Sequence, residues 1–184
     1  MDFYEIDICG LKRKLPYIQI GKNTKIASFN ILGDVELVSA LAQKISQDLK
    51  AVDFDYLVGP EVKVVPLIQE VARLLRHKKF IICRKSIKPY MRSPIKITPL
   101  SHFPKHVKPL VIDGFDAKLI ENKKVIIIDD VISTGVTMRM LNKLMEQVNA
   151  RVMGYYVAIK QGKQFDTFDG LQYLAELPIF KTGD

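Results

Sequence analysis

Several common features are missing from this chain of 184 residues, and each absence excludes a class of protein. No apolar run approaches the roughly 18 residues of a membrane span. The first residues, 1–5, lack the basic start and apolar core of a signal peptide. The two cysteines, Cys9 and Cys83, form no close pair, so we expect neither a disulfide framework nor a zinc knuckle. We therefore expect a protein of the reducing cytoplasm with no membrane partner.

Acidic residues are absent from the whole of 71–112. Eleven of the 28 basic residues lie in this window, whereas the rest of the chain carries 17 basic and 20 acidic residues. The net charge of +8 is therefore concentrated in one segment, and a local positive field attracts a polyanion. Nucleic acid and a small substrate with several phosphates both fit this description.

Two nucleotide-binding motifs and one metal motif can also be excluded. The chain contains no Gly-Lys-Ser/Thr tripeptide of a P-loop, and no Gly-x-Gly-x-x-Gly follows a strand. His102 and His106 have the spacing of metal ligands on a helix, but Pro104 lies between them and would interrupt that helix. We therefore expect no metal site formed by these histidines.

What the sequence does contain is an alternation of strands and helices. Apolar residues recur at helical spacing over 34–50, where Asp34 is a suitable N-cap. Residues 86–108 hold four prolines and predict a long basic loop. The other predicted elements are strands at 54–58, 80–83, 110–112, 124–128 and 152–159, a helix that begins at Pro66, and a helix at 136–149.

This alternation predicts an α/β fold with a central, mainly parallel sheet flanked by helices. The first residues, 1–33, show only short strands and turns. We therefore expect a single domain over 1–184, made of a small N-terminal β-rich hood (1–33) and an α/β core (34–184).

The most informative stretch is VIIIDDVISTGVTM, residues 125–138. Ligands of parallel sheets bind beyond the carboxyl ends of the strands, where Asp129 and Asp130 are expected. Adjacent carboxylates accept hydrogen bonds from a sugar diol or help to hold a metal. The small residues that follow lead into a helix N-terminus, which suits a phosphate, and Gly135 permits a tight turn. The alternative is an ordinary strand-to-helix turn with solvated aspartates.

The same stretch resembles the binding motif for 5-phosphoribosyl-1-pyrophosphate (PRPP) of type I phosphoribosyltransferases, in which an apolar strand, two acids and two residues precede Ser/Ala-Thr-Gly-x-Thr. The resemblance implies the type I phosphoribosyltransferase fold. It also implies that Asp129 and Asp130 bind the ribose of PRPP. The residues implied to hold its ribose and 5-phosphate are Asp129, Asp130, Ser133, Thr134, Gly135, Val136 and Thr137.

Weaker likeness to the adenine-specific members of this family covers most of the chain in the right order. VGPEVKVVPL (58–67) resembles their pyrophosphate-binding loop, CRKSIKPYM (83–91) their basic segment, SFNILGD (28–34) their hood, and AELPIF (175–180) their C-terminal segment. The resemblance implies pyrophosphate binding by Glu61, Val62, Lys63, Arg84, Lys85 and Lys88, and purine contacts from Phe29 and Val131. It assigns catalytic roles, by positioning and charge stabilisation, to Lys63, Lys88 and Asp130. For Phe29, core packing is an equally good interpretation.

Two positions depart from the family pattern. Val64 stands where the pyrophosphate loop has Gly, and a β-branched residue does not readily adopt positive φ, so we expect a different loop or weaker pyrophosphate binding. The adenine-specific members carry a catalytic Glu on a mobile loop, and 71–112 offers no counterpart. Asp113, expected at a strand end, is the nearest acid.

The resemblance implies transfer of a 5-phosphoribosyl group from PRPP to a purine in purine salvage. Adenine is the favoured base, with AMP and pyrophosphate as products. It further implies Mg²⁺ held mainly through PRPP, closure of the loop 86–108 over the site, a homodimer, and no nucleic acid partner. The alternatives are a phosphoribosyltransferase for hypoxanthine, guanine or xanthine, a PRPP-binding regulator, and a binding module without turnover.

Overall fold

The computed structural model describes residues 2–99 and 107–181. The two histidines considered above, His102 and His106, lie outside the described residues, as does part of the predicted loop 86–108. None of the helices in the described ranges is both long and apolar enough to cross a lipid bilayer.

Eleven strands and four helices follow one another along the described chain. The strands are β1 (Phe3–Ile8), β2 (Leu11–Gly21), β3 (Thr24–Ala27), β4 (Tyr56–Pro60), β5 (Ile81–Cys83), β6 (Ile95–Ile97), β7 (Leu110–Ile112), β8 (Lys124–Ile132), β9 (Arg151–Gln161), β10 (Leu171–Leu177) and β11 (Ile179–Lys181). The helices are α1 (Val35–Leu49), α2 (Val65–Leu74), α3 (Gly114–Ile120) and α4 (Val136–Gln147).

The central sheet has the strand order β10-β9-β8-β4-β5, and all of its pairs are parallel. β8 lies in the middle and is buried over most of its length, which explains its continuous apolar run. One face of the sheet packs against α1 and α2, whose buried side chains share a core cluster with Ile126 and Ile128. The other face packs against α4, whose inward side chains cluster with Val125 and Ile127. The predicted parallel α/β core is confirmed.

A second sheet, β1-β2-β3-β11, is antiparallel and forms the hood. Its first three strands come from the predicted N-terminal segment. Its fourth strand comes from the other end of the chain, because Ile179 pairs with Ile26 and Lys181 with Thr24. Rings from both ends pack together, with the centroids of Tyr17 and Phe180 5.0 Å apart. The hood therefore includes the C-terminal segment as well as 1–33.

The helix boundaries follow from local chemistry. Asp34 is the N-cap of α1 and accepts a hydrogen bond from the amide of Leu37 at 3.1 Å, as predicted. Its carboxylate also receives two hydrogen bonds from Arg13 of β2, at 2.7 and 3.0 Å. This contact joins the hood to the start of the core. α2 begins at Val65, one residue before the predicted Pro66, which lies in the first turn where its missing N–H does not matter.

Several element predictions need correction. The predicted loop 86–108 contains β6, which pairs antiparallel with β7. α3 and the strands β10 and β11 were not predicted, and β8 continues to Ile132 rather than ending at Ile128. The acid pair Asp129 and Asp130 therefore lies within the last part of the strand, where both residues are only 7% exposed.

Candidate functional site

A cleft of about 400 Å³ opens at the carboxyl ends of β4 and β8, between the sheet and the hood. This is the position expected for a ligand of a parallel sheet. The predicted site residues along its walls are Phe29, Glu61, Val62, Lys63, Lys85, Asp129, Asp130, Val131, Ser133 and Thr137. Thr134 and Gly135 line a smaller adjoining cavity of about 30 Å³. Val136 is buried at the start of α4, and Arg84 and Lys88 do not line the cleft.

The acid pair has an unusual electrostatic environment. Burial and the negative charge of Asp130 raise the pKa of Asp129 well above its ordinary value. The Oδ1 atom of Asp129 accepts a hydrogen bond from the amide of Asp130 at 2.8 Å. The Oδ2 atom of Asp130 is enclosed and accepts no hydrogen bond from any described residue, although the Nζ atom of Lys63 lies 3.6 Å away. Both residues line the cleft, so their other carboxylate oxygens are available there as hydrogen-bond acceptors.

The bend between β8 and α4 is built around Gly135. This residue has φ +70° and is the N-cap of α4. A Cβ atom on Gly135 would lie 2.6 Å from Cε1 of Phe165, so both the conformation and the space require glycine. The amide of Val136 donates to Oγ1 of Thr134 at 3.4 Å. No described residue accepts a hydrogen bond from the amides of Thr134, Gly135 or Thr137.

Such a row of amides at a helix N-terminus suits an anion, because the donors and the helix dipole act together. Two residues from the segment after β9 also contact the bend and stabilise it. Nε2 of Gln164 donates to the carbonyl of Ser133 and, at 3.1 Å, to that of Gln161, while Phe165 packs on Gly135. The contacts of Gln164 and Phe165 with the bend were not predicted from the sequence, because these residues reach it only through the folding of the 162–170 segment.

The basic side of the cleft contains a charge-paired carboxylate. The carboxylate of Glu61 forms an ion pair with Arg84 and accepts a hydrogen bond from the amide of Lys85 at 2.6 Å. Nη1 of Arg84 also donates to the hydroxyl of Tyr90 at 3.2 Å. Lys85 and Lys63 line the cleft itself, whereas the amide of Lys88 contacts Sδ of Met91 at 3.4 Å. Of the basic residues predicted here, Lys63 and Lys85 are the two that face the cleft.

Val64 is accommodated without strain. It has φ −75° and ψ −15°, is 1% exposed, and is the N-cap residue of α2. Its side chain fills the space beside Gly59, where an added Cβ would lie 3.0 Å from Cγ1 of Val64. The backbone at this position does not need positive φ, so a glycine is not required here. Weaker pyrophosphate binding remains a prediction.

The apolar side of the cleft is formed by the hood and the end of β8. Phe29 is 5% exposed and belongs to the core cluster, and it also lines the cleft together with Val131. Phe29 therefore packs in the core and also borders the cleft, and its contact with a purine stays a prediction. Gln161, at the end of β9, lines the same region and was not predicted. The available signal was the pair of polar residues, Lys160 and Gln161, that follows the predicted strand 152–159.

Two further features bear on the chemistry. No three His, Cys, Asp or Glu residues within the described ranges lie close enough together to hold a metal ion. Asp113 follows β7 as expected and is the N-cap of α3, where it accepts hydrogen bonds from the amides of Phe115 at 2.9 Å and Arg92 at 3.0 Å. Its carboxylate therefore has a structural role.

These features define an α/β protein with an anion-suited cleft at the carboxyl ends of its parallel strands. The chain belongs to the phosphoribosyl transferase domain family, whose model matches residues 30–167. Among its relatives, the adenine phosphoribosyltransferase of Petrotoga mobilis is 27% identical over 127 residues, which cover 67% of this chain and 68% of the relative. That of Lachnoclostridium phytofermentans is 28% identical over 124 residues, with the same two coverages.

Solved structures support the same fold. Adenine phosphoribosyltransferase from Thermoanaerobacter pseudethanolicus superposes with a TM-score of 0.63 at 20% identity, covering 96% of this chain and 95% of that one. The enzyme from Trypanosoma brucei, solved with AMP, pyrophosphate and ribose-5-phosphate, gives 0.64 at 18% identity, covering 79% and 67%. The expected type I phosphoribosyltransferase fold is thereby confirmed.

Proposed function

We propose that this protein transfers a 5-phosphoribosyl group from PRPP to a purine base, with adenine the favoured acceptor and AMP and pyrophosphate the products. The observation that carries the proposal is the single cleft in which a buried acid pair adjoins a bend of unpaired amides. The relatives described above, which are adenine phosphoribosyltransferases, favour adenine over the other purines. The process served would be purine salvage.

The phosphorylated ribose binds with its hydroxyls at the acid pair and its phosphate at the amides of the bend. Asp129 and Asp130 accept hydrogen bonds from the two ribose hydroxyls, since each carboxylate presents acceptor oxygens toward the cleft. The 5-phosphate lies against the amides of 133–137, aided by the hydroxyls of Ser133 and Thr137. Holding the sugar at both ends positions its C1 atom, which contributes to the rate by removing translational and rotational freedom.

The pyrophosphate lies toward the basic side of the cleft. Lys63 and Lys85 contact it first, because both already line the cleft. Arg84 and Lys88 lie further back, so they act through the long-range field or after rearrangement of the 84–91 segment. Mg²⁺, bound mainly to PRPP oxygens and water as this ion prefers, would supply further neutralisation of the leaving pyrophosphate. Asp130 lines the cleft and would offer the ion a carboxylate oxygen there.

Displacement at C1 develops positive charge on the sugar and negative charge on the leaving pyrophosphate. The protein stabilises both by fixed charges, with Asp130 beneath the ribose and Lys63 beside the pyrophosphate. The base is held on the apolar side of the cleft, between Phe29 and Val131, so that its nitrogen faces C1. The part of the predicted loop that precedes β6, 86–94, includes Lys88 and closes over the site, which excludes water. A homodimer in the cytoplasm is the expected setting.

The proposal is tested by measuring PRPP-dependent conversion of adenine, hypoxanthine, guanine and xanthine, together with equilibrium binding of PRPP and Mg²⁺. We expect turnover that is fastest with adenine. The double variant Asp129→Asn with Asp130→Asn should lose PRPP binding while its circular dichroism spectrum stays native. A matched control, Asp7→Asn with Asp169→Asn, removes two exposed acids that do not line the cleft and should bind PRPP normally.

Other outcomes identify the alternatives. PRPP binding without turnover of any base would indicate a binding module or regulator instead of an enzyme. A preference for hypoxanthine, guanine or xanthine would keep the reaction and change the substrate. Normal PRPP affinity in the double aspartate variant would refute the site assignment.

A further inference from the structure

We propose that Gln161 reads the polar edge of the purine base and is a specificity-determining residue of the reaction, an inference that rests on the proposed function. Gln161 is the last residue of β9 and is 5% exposed. It lines the cleft alongside the hood residues Ala27 and Phe29. Its side chain makes no hydrogen bond with any other residue in the described part of the chain.

The carboxamide of Gln161 has no hydrogen-bond partner among the described residues, so a molecule bound in the cleft can bond to it without displacing a protein group. The completely enclosed polar atoms of the described residues that make no hydrogen bond are Oγ of Ser46, Nε of Arg84, which is ion-paired with Glu61, and Oδ2 of Asp130. The Gln161 oxygen and nitrogen are not among them, so both atoms remain in contact with the cleft. The carboxamide is therefore available to a molecule bound there.

The register of the sheet puts Gln161 on the base side of the cleft. Val131 of β8 pairs with Ile159 of β9, and both pack in the core cluster that contains Phe29. Side chains two residues apart on a strand face the same side, so Gln161 follows Ile159 on the face that carries Val131 and Phe29. The spacing along the strand is about 7 Å, which is suitable for contact with the far edge of a ring that lies on Val131.

The backbone of Gln161 is firmly held, so its side chain is presented in a fixed place. Its carbonyl accepts a hydrogen bond from Gln164, and Leu177 of β10 pairs with it in the sheet. The preceding residue, Lys160, is 3% exposed and forms ion pairs with Asp166 at 2.5 Å and Glu176 at 2.7 Å. These ion pairs fix the end of β9 from the face opposite Gln161.

The chemistry of the carboxamide suits adenine. A carboxamide offers one acceptor and two donor hydrogens, and adenine presents an amino donor next to ring-nitrogen acceptors. A glutamine can therefore form two hydrogen bonds with adenine at once, an arrangement that discriminates by about 1–3 kcal/mol. Of the other side chains of this region, Ala27, Phe29 and Val131 are apolar and cannot distinguish an amino from an oxo group, and Ser28 offers a single hydroxyl instead of a paired donor and acceptor.

The test compares binding of AMP and ribose 5-phosphate to the wild-type protein and to Gln161→Leu, which keeps the size and removes the hydrogen bonds. We expect the affinity for AMP to fall by about 5- to 150-fold, which corresponds to the discrimination given above, while that for ribose 5-phosphate stays unchanged. Gln161→Glu should also weaken AMP, because a carboxylate cannot donate to a ring nitrogen. Gln172→Leu on the exposed side of β10 is the matched control and should change neither affinity.

Because ribose 5-phosphate binds without a base, this experiment separates the two proposals. If the wild-type protein binds ribose 5-phosphate and Gln161→Leu binds AMP as tightly as the wild type does, Gln161 does not read the base and the proposed function stands. If the wild-type protein binds neither compound, both the site and the role of Gln161 are refuted. If both affinities fall together in Gln161→Leu, the residue has only a structural role and the inference is wrong.

Discussion

Replacement of Gly135 by alanine tests the geometry of the phosphate-binding bend. Gly135 has φ +70°, and an added Cβ would lie 2.6 Å from Cε1 and 3.0 Å from Cζ of Phe165. Two separate penalties follow. An L-residue in the left-handed region costs about 1–2 kcal/mol, and forcing a buried ring to move adds about 1–3 kcal/mol. We therefore expect the free energy of unfolding to fall by about 2–5 kcal/mol.

A matched variant separates the two penalties. Gly10 has φ +76° and nothing within 4 Å of an added Cβ, so Gly10→Ala carries the conformational penalty alone. The difference between the two variants measures the steric penalty. A shorter side chain at Phe165 should relieve it, so Phe165→Leu and Gly135→Ala together should be less destabilising than the sum of the single changes.

The measurements are urea denaturation followed by circular dichroism, and titration with ribose 5-phosphate. In Gly135→Ala we expect the affinity for ribose 5-phosphate to fall at least about tenfold, since one charge-assisted hydrogen bond is worth about 1.5–3 kcal/mol. In Gly10→Ala the affinity should not change. Equal destabilisation of Gly135→Ala and Gly10→Ala, with additive effects in the double variant, would refute the packing of Phe165 on the bend.

Two further predictions concern the stability of the site. The raised pKa of Asp129 means that the folded protein loses stability as the pH rises from about 4 through that pKa. Asp129→Asn should therefore unfold at a higher urea concentration than the wild type, by a margin that is larger at pH 7.5 than at pH 4.5. Urea titrations at both pH values check this, and a lower urea midpoint for Asp129→Asn than for the wild type at pH 7.5 would contradict it. Val64→Gly should lower the free energy of unfolding by about 2–4 kcal/mol, because it removes a buried side chain and raises the conformational entropy of the unfolded backbone. Val62→Gly, at an exposed position, is the control. A loss below about 1 kcal/mol in Val64→Gly would show that the position tolerates the family's glycine.

Much of the core could be predicted because its signals are local. The apolar spacing of 34–50 together with a capping Asp34 predicts α1, and the uninterrupted apolar run 124–128 predicts the central strand. The alternation of these elements is enough to imply a parallel sheet. Even so, β8 continues through two aspartates, because strand pairing with β9 overrides the low strand propensity of acidic residues.

The missed elements depend on contacts between distant parts of the chain. β11 is three residues long and exists because it pairs with β3, more than 150 residues away along the chain. β6 lies among prolines and is formed by its pairing with β7. Short strands of this kind carry too few residues for a periodic pattern, so a single sequence gives no signal for them.

The candidate site likewise has one part that the sequence predicts and another that depends on contacts between distant residues. The acid pair and the bend lie within one short stretch, so their residue types and spacing could be interpreted together. Gln161, Gln164 and Phe165 reach the same cleft from the next strand and the segment after it. Their contribution depends on how β9 continues beyond Ile159 and on the turn that follows, which sequence patterns do not specify.

The charges around the cleft suggest how ligand binding is organised. Lys63 lies 3.6 Å from Asp130, and Arg84 is paired with Glu61, so two of the four predicted cations already have anionic partners. A pyrophosphate must compete with Glu61 for Arg84, whereas Lys85 has no ion-pair partner among the described residues and faces the cleft. Pairing with Glu61 fixes the guanidinium of Arg84 and the amide of Lys85 in one place. Glu61 is therefore better explained as the residue that positions this basic segment than as a direct ligand of pyrophosphate, because its carboxylate and the pyrophosphate are both anions and repel each other.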